Sequence, residues 1–192
     1  MTGRKNIMKE CLYIPTLESD RLILRKLTAA DADDLKEWLA REELYTYWGR
    51  SVTKGEKDPA SLFTDPRPNV KRPLSHDFIW GIELKSTRKV IGLLEVFDVE
   101  NDRYGKLGYR VNPDLWNEGI CTEALKRSMD FLFSETGFDR LEATAHVNNT
   151  ASNKVLEKCG FLKEGTIRHG KMVREYCDYN IWGFIRDDFQ RF

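Results

Sequence analysis

The sequence predicts an α+β fold of three layers, in which a mixed, mostly antiparallel sheet lies between helices. Three observations lead there. Short apolar runs with strand-like alternation recur along the chain, stretches of helical periodicity separate them, and turn-forming residues cluster at the joins. In order they read as strand, helix, hairpin, strand, helix, strand, helix, strand, strand, with no internal repeat.

Residues 1–16 lack any period and read as a loose lead-in to one domain spanning 17–192. Residues 21–25 form the first strand. Thr28, with Asp31 three residues later, signals the start of a helix reaching about Ala40, and Ala32, Leu35, Trp38 and Leu39 give it one apolar stripe. Residues 49–77 carry Pro59, Pro66, Pro68 and Pro73 among many charges and form the longest irregular region. Residues 78–84 and 90–98, joined at Lys85-Ser86-Thr87-Arg88, read as a hairpin. A short strand follows at 107–111, then a helix at 120–135. In the strand 140–147, Leu141, Ala143, Ala145 and Val147 alternate with Glu142, Thr144 and His146, so one face is buried and the other is polar. A short helix over 149–158 and a strand pair, 161–168 with 176–184, complete the chain.

At 192 residues the chain can bury one sizeable core, and its 31 basic and 31 acidic residues cancel, so no global field draws it to nucleic acid or anionic lipid. Cys11, Cys121, Cys159 and Cys177 lack the spacing of a zinc or redox site, and with three scattered histidines no metal centre is expected. Residues 7–14 are interrupted by Lys9 and Glu10, and no apolar run approaches the ~20 residues that span a bilayer. A soluble, cytoplasmic protein with reduced thiols is the expectation.

The chemistry concentrates in residues 107–161. A strand running through the polar, glycine-bearing loop 112–119 into a helix brings the loop N–H groups and the helix's unpaired first N–H groups to one point, which favours an anion, above all a pyrophosphate. These features suggest a group-transfer enzyme with a phosphate-bearing carrier.

The motifs Leu22-Ile-Leu-Arg25, Val90-Ile-Gly92, Leu107-Gly-Tyr109, Trp116-Asn-Glu-Gly-Ile-Cys-Thr-Glu-Ala124, Asn149-Thr-Ala-Ser152, Leu156-Glu-Lys-Cys-Gly-Phe161 and Glu164-Gly165 stand in a fixed order. In that order the chain resembles the GCN5-related N-acetyltransferase superfamily (GNAT), in the branch of ribosomal-protein N-terminal acetyltransferases (RimJ/RimL-like). The resemblance implies acetyl-CoA as co-substrate, no metal, and a cofactor gap between 107–111 and 141–147 where the sheet splays at a bulge. It further implies CoA contacts from Tyr109, Val111, Trp116, Asn117, Glu118, Gly119, Ile120, Cys121, Thr122, Asn149, Ser152 and Asn153, with the pyrophosphate on the N–H groups of 118–122 and the oxyanion on a backbone N–H near Val111.

Two departures matter. Trp116 and Cys121 take the outer positions of the superfamily's usual Gln/Arg-x-x-Gly-x-Gly/Ala loop. Cys121, near a helix N-terminus where thiol pKa tends to fall, is either an acetyl-accepting nucleophile or a small packed residue, and the need for close backbone approach favours the second. The tyrosine that many members carry seven residues after the helix-opening Asn is replaced by Leu156, so by resemblance to this branch Ser152 supplies the proton to the thiolate; simple capping is the other reading of Asn149 and Ser152. Glu142, His146 and Glu95 are the candidate bases. An α-amine of pKa near 8 needs about 1.4 kcal/mol to be neutral at pH 7, a lysine near 10.4 about 4.6, so a site without an obvious strong base suits an α-amine or a low-pKa amine better than lysine.

The implied partners are an amine acceptor, either a ribosomal protein N-terminus or a small amine, and a homodimer is compatible. Tyr45, Tyr47 and Trp48, with segment 49–77, are placed on the acceptor side as a lid or as a plain surface loop. Two other classes stay open. A catalytically silent acyl-CoA-binding regulatory module would consume no thioester. A ribosome- or RNA-associated protein using Arg67, Lys71 and Arg72 would show salt-dependent RNA retention, and zero net charge disfavours it.

Overall fold

The computed structural model describes residues 14–48, 50–60, 78–101 and 103–190. An eight-stranded sheet in the order β1-β2-β3-β4-β5-β6-β8-β7 runs through it. Antiparallel pairs link β1 (Leu17–Glu18), β2 (Leu22–Arg25), β3 (Phe78–Leu84), β4 (Lys89–Glu100) and β5 (Tyr104–Val111) in succession. β6 (Arg140–His146) joins β5 in parallel, and β8 (Glu175–Ile185) and β7 (Leu162–Met172) extend the sheet antiparallel. The mixed, mostly antiparallel sheet expected from the sequence is the one observed.

Both faces are covered, which gives the three layers. On one face α3 (Ile120–Glu135) buries Ala124, Leu125, Met129, Leu132 and Phe133 against Leu22, Leu24, Trp80, Ile82 and Leu94. Leu125 and Leu132 are fully enclosed, each contributing about 1.5–3 kcal/mol. On the other face Leu35 and Trp38 of α1 (Ala32–Trp38), with Leu39, Leu44 and Tyr45, pack on Val90 and Leu93. Leu93 and Leu94 are consecutive in β4 and serve opposite layers, as strand alternation requires. α4 (Thr150–Lys158) follows β6, and α5 (Arg186–Phe189) closes the described chain.

Several boundaries differ from the sequence reading for identifiable reasons. The helix expected from Thr28 opens as a 3-10 turn, Ala29–Asp31, because the Asp31 carboxylate caps Thr28 N (2.7 Å) while also taking the Arg25 guanidinium at 2.7 and 3.0 Å. The end of the supposedly loose lead-in is packed: Ile14 lies against the core, the carbonyl of Pro15 accepts the Trp80 indole N–H at 2.9 Å, and Leu17 is buried in β1. Within the irregular region, Lys54–Lys57 forms a helical turn, α2, whose Glu56 caps Thr53 N at 2.8 Å. Residues 61–77, with Arg67, Lys71 and Arg72, lie outside the described residues, as do 1–13. Among the described residues no helix is long and apolar enough to cross a membrane.

Candidate active site

β5 and β6 are paired only at Tyr104↔Arg140, Gly105↔Leu141 and Lys106↔Glu142, after which they part. β4 carries the neighbouring irregularity, a register shift between Phe97 and Glu100 with Asp98 at φ 51°. Past Lys106, β5 keeps its ladder with β4 on one side only. Because Asn112 N donates to Ile91 O (2.8 Å) and bonding pairs alternate along an antiparallel ladder, the N–H and C=O groups of Tyr109 and Val111 point away from β4 into the gap. The Val111 carbonyl is already taken there by the Trp116 indole N–H at 2.9 Å, which leaves its N–H directed at the gap. That bond is the structural role of Trp116.

The loop at the mouth of this gap is shaped by two left-handed residues, Asn117 (φ 66°) and Gly119 (φ 78°), before α3 begins at Ile120. Asn tolerates that conformation and Gly adopts it without strain. The sequence shows the loop but not the strap around it. Arg21 donates from Nη1 to the Glu118 carbonyl (3.1 Å) and from Nε to Glu123 (2.7 Å), and Ser19 Oγ donates to the same carboxylate at 2.7 Å. β2's leading edge thereby holds the phosphate-type loop and the first turn of α3 in register.

Opposite Tyr109, the first turn of α4 is capped by Asn149, whose Oδ1 accepts from Ser152 N at 3.1 Å, so the capping reading of Asn149 holds as geometry. Ser152 Oγ lies 3.0 Å from the Tyr109 hydroxyl, which also donates to the Ser152 carbonyl at 3.2 Å. Burial raises the Tyr109 phenol far above its ordinary value, so it stays a neutral hydrogen-bonding group. Asn153 is placed elsewhere than in the cofactor gap. Its Nδ2 donates to the carbonyls of His146 and Asn149, and its Oδ1 accepts from Asn180 (2.8 Å) and the Trp182 indole (3.0 Å), tying α4 to β6 and β8.

Two cavities flank the parting. One, about 480 Å³, is lined by the loop residues Trp116, Asn117 and Gly119 to Thr122 and by 148–152 of the α4 turn; the other, about 530 Å³, by Glu95, Phe97, Glu142 to His146 and Tyr179. Tyr47, Trp48, Tyr109, Asn149 and Ser152 line both, which places the Tyr109–Ser152 pair at their junction. Of the residues expected around CoA, Tyr109, Val111, Trp116, Asn117, Gly119, Ile120, Cys121, Thr122, Asn149 and Ser152 line the first cavity; Glu118 contributes its carbonyl to the Arg21 strap instead.

All three candidate bases reach the second cavity, but they are not equivalent. His146 Nδ1 accepts from Asn148 N at 3.0 Å, so that ring nitrogen is already engaged by the backbone. Its ring packs on Tyr47 with centroids 5.2 Å apart. Glu142 is paired with Arg140 (3.3 Å) and Glu95 with Arg110 (3.1 Å).

Behind Glu95 lies a network that no sequence pattern announces. Glu56 of α2 accepts from Arg50 at 2.6 and 2.8 Å, from Arg110 at 2.6 Å and from Thr53 N and Oγ1 at 2.8 and 2.9 Å. The Arg110 side chain is 9% exposed and that of Glu56 8%. Burial disfavours the Glu56 anion, but these bonds, first those from Arg50, outweigh it and hold the carboxyl well below its usual range. Arg110 also lies over the Trp48 ring at 4.5 Å.

Cys121 lies two residues past Gly119, yet its thiol is not activated: burial pushes it up to about 12, as it does Cys159. The packed-residue reading fits this, and the low-pKa nucleophile does not. Among the described residues no group of three or more His, Cys, Asp or Glu side chains forms a metal-type cluster.

A parted parallel strand pair, a tight loop opening a helix at its mouth, and cavities on either side define the acyl-carrier cleft of an acetyltransferase fold. The description "Acetyltransferase (GNAT) domain" matches residues 21–162. The chain is 30% identical over 155 residues to the Bacillus subtilis (strain 168) protein named uncharacterized N-acetyltransferase YoaA, covering 80% of this chain and 86% of that one. In structure it is similar to Mycobacterium smegmatis RimJ in complex with CoA-disulfide (TM-score 0.77, 21% identity, 92% of this chain and 90% of that one). It is similar also to Vibrio cholerae spermidine N-acetyltransferase in complex with CoA and spermine (TM-score 0.72, 17% identity, 88% and 98%). The chain belongs to the GNAT family of N-acetyltransferases.

Proposed function

We propose that this chain transfers the acetyl group of acetyl-CoA directly to a primary amine, either a protein N-terminal α-amine or a small-molecule amine, in a ternary complex. One observation carries the reading: the two cavities meet at the Tyr109 and Ser152 hydroxyls, 3.0 Å apart, beside the parting of β5 and β6, with Val111 lining the first cavity. Structural relatives named for CoA complexes support the carrier, and relatives named for ribosomal-protein and spermidine acetylation support an amine acceptor without choosing between them.

In this mechanism Gly119 to Thr122 and α3's first turn receive the pyrophosphate, and Tyr109 and Val111 present backbone groups along the carrier arm. A neutral amine in the second cavity attacks the thioester carbonyl. The new N–C bond forms as the C–S bond breaks, the Val111 N–H stabilises the transient oxyanion, Ser152 or water gives the thiolate its proton, and the amine's surplus proton leaves through Glu95, Glu142 or water. The half-buried Cys121 takes no part. Purified protein mixed with acetyl-CoA and a panel of amines should release free CoA only when an amine is present. Acetyl-CoA binding without any amine-dependent release would favour the silent binding module.

A further inference from the structure

The second cavity has a composition that selects among amines. Its apolar lining is large and includes Phe97, Met172, Tyr179 and Ile181 with the aromatic pair Tyr47 and Trp48. Its charged lining among the described residues is balanced: Glu95 and Glu142 against Lys106 and Lys171. Each carboxylate already shares an arginine: Glu95 lies 3.1 Å from Arg110, which also holds Glu56, and Glu142 lies 3.3 Å from Arg140, which also holds Glu164. An incoming ammonium that captured Glu95 would leave Arg110, 9% exposed, with Glu56 as its remaining carboxylate. The aromatic face best suited to a cation is also occupied, because the Trp48 ring already lies under Arg110 at 4.5 Å and near Arg50 at 5.3 Å.

A polyamine needs unpaired carboxylates or open aromatic faces for every ammonium it buries. A monoamine with an apolar body needs them for none, because its one nitrogen reacts in the neutral form and its body replaces water against Phe97, Tyr179 and Ile181. Resting on the acetyltransferase reading above, we propose that the acceptor is a monoamine carrying an aromatic or otherwise apolar body, and that polyamines are rejected.

The test compares phenethylamine, a peptide with an N-terminal phenylalanine, and spermidine, each with acetyl-CoA. The expected kcat/KM for at least one aromatic amine is about tenfold or more above spermidine. Turnover of the peptide alone would place the source in polypeptide N-termini, and turnover of phenethylamine alone in small amines. Spermidine turned over as well as, or better than, both overturns the proposal. Should none be acetylated, calorimetry on the CoA-saturated protein decides: aromatic-amine binding without spermidine binding sustains this inference while the catalytic reading fails, and absent or reversed binding overturns it. Phe97→Ala should raise KM for the aromatic amine about tenfold with CoA affinity unchanged. Met172→Glu, which adds an unpaired carboxylate near the hairpin end, should narrow the preference. A preference unmoved by both folded variants contradicts the assignment of this cavity.

Discussion

The Tyr109 and Ser152 hydroxyls lie 3.0 Å apart where the two cavities meet. Leu156 stands in the core where many members carry a tyrosine, and the phenol at Ser152 comes from β5 instead. Burial keeps that phenol protonated throughout the working pH range, so it orients Ser152 and does not titrate.

Ser152→Ala should reduce kcat on the order of 10²-fold, and Tyr109→Phe about 10-fold, each with CoA affinity within about threefold of the parent. Because the two act as one unit, the double variant should be no slower than Ser152→Ala. Steady-state kinetics with parallel CoA titrations check this. Loss confined to CoA binding, with turnover intact, would reduce Ser152 to a helix-capping residue.

Cys121→Ala should remain active, and the parent's Cys121 should resist alkylation at neutral pH, since a thiol near 12 is almost wholly protonated there. The same burial makes stability pH-dependent. Cys121 and Cys159 titrate near 9 when unfolded and near 12 when folded, so their contribution is complete below pH 9 and is lost as pH rises from 9 to 12. Urea midpoints measured across that window should fall in the parent and fall less in Cys121→Ala. An acetylated Cys121 seen by mass spectrometry during turnover would contradict direct transfer.

Glu56→Ala leaves Arg110 and Arg50 without their shared carboxylate and should cost about 3–5 kcal/mol, read from chemical denaturation. The sign of the pH dependence follows from the lowered carboxyl. Its contribution is present above the ordinary value of 4.5 and is lost only as pH falls through the much lower folded value. The difference between the parent and Glu56→Gln should therefore be flat from about pH 5 to 8 and shrink only in stronger acid. A difference that vanished near pH 5 would show that Glu56 is not held by the two arginines.

Gly119→Val should weaken CoA binding at least about tenfold, because a β-branched residue at φ 78° is strained and its side chain stands where phosphate must approach backbone. Titration calorimetry on the folded variant checks it, and unchanged affinity would remove the loop from the carrier site.

Periodicity and local chemistry made much of this legible beforehand. The α3 helix, the 78–84 strand and the Asn149–Ser152 turn stand where alternation, helical stripes and capping residues put them. What the sequence concealed are pairs distant along the chain, which leave no period. Tyr109 meets Ser152 across 43 positions, Arg110 meets Glu56 across 54, and Arg21 meets Glu123 across 102. Residues 50–57 read as loop among the prolines and charges of 49–77, although Thr53 and Glu56 form a capping box there, and the Glu56–Arg110 pair that joins the turn to β5 leaves no local pattern. Asn153 matched a motif position, but its amide serves α4, β6 and β8; His146 sat on the right strand face with its lone pair directed to Asn148.

The central claim is that the parted edge of β5 receives the carrier. Amide hydrogen exchange at Tyr109 and Val111, read by NMR with and without saturating CoA, tests it most directly, since both N–H groups face the gap outside the β4 ladder. Exchange at both should slow by about tenfold or more on CoA addition, together with protection of the Gly119 to Thr122 amides. Unchanged exchange at Tyr109 and Val111 under saturating CoA would contradict the account.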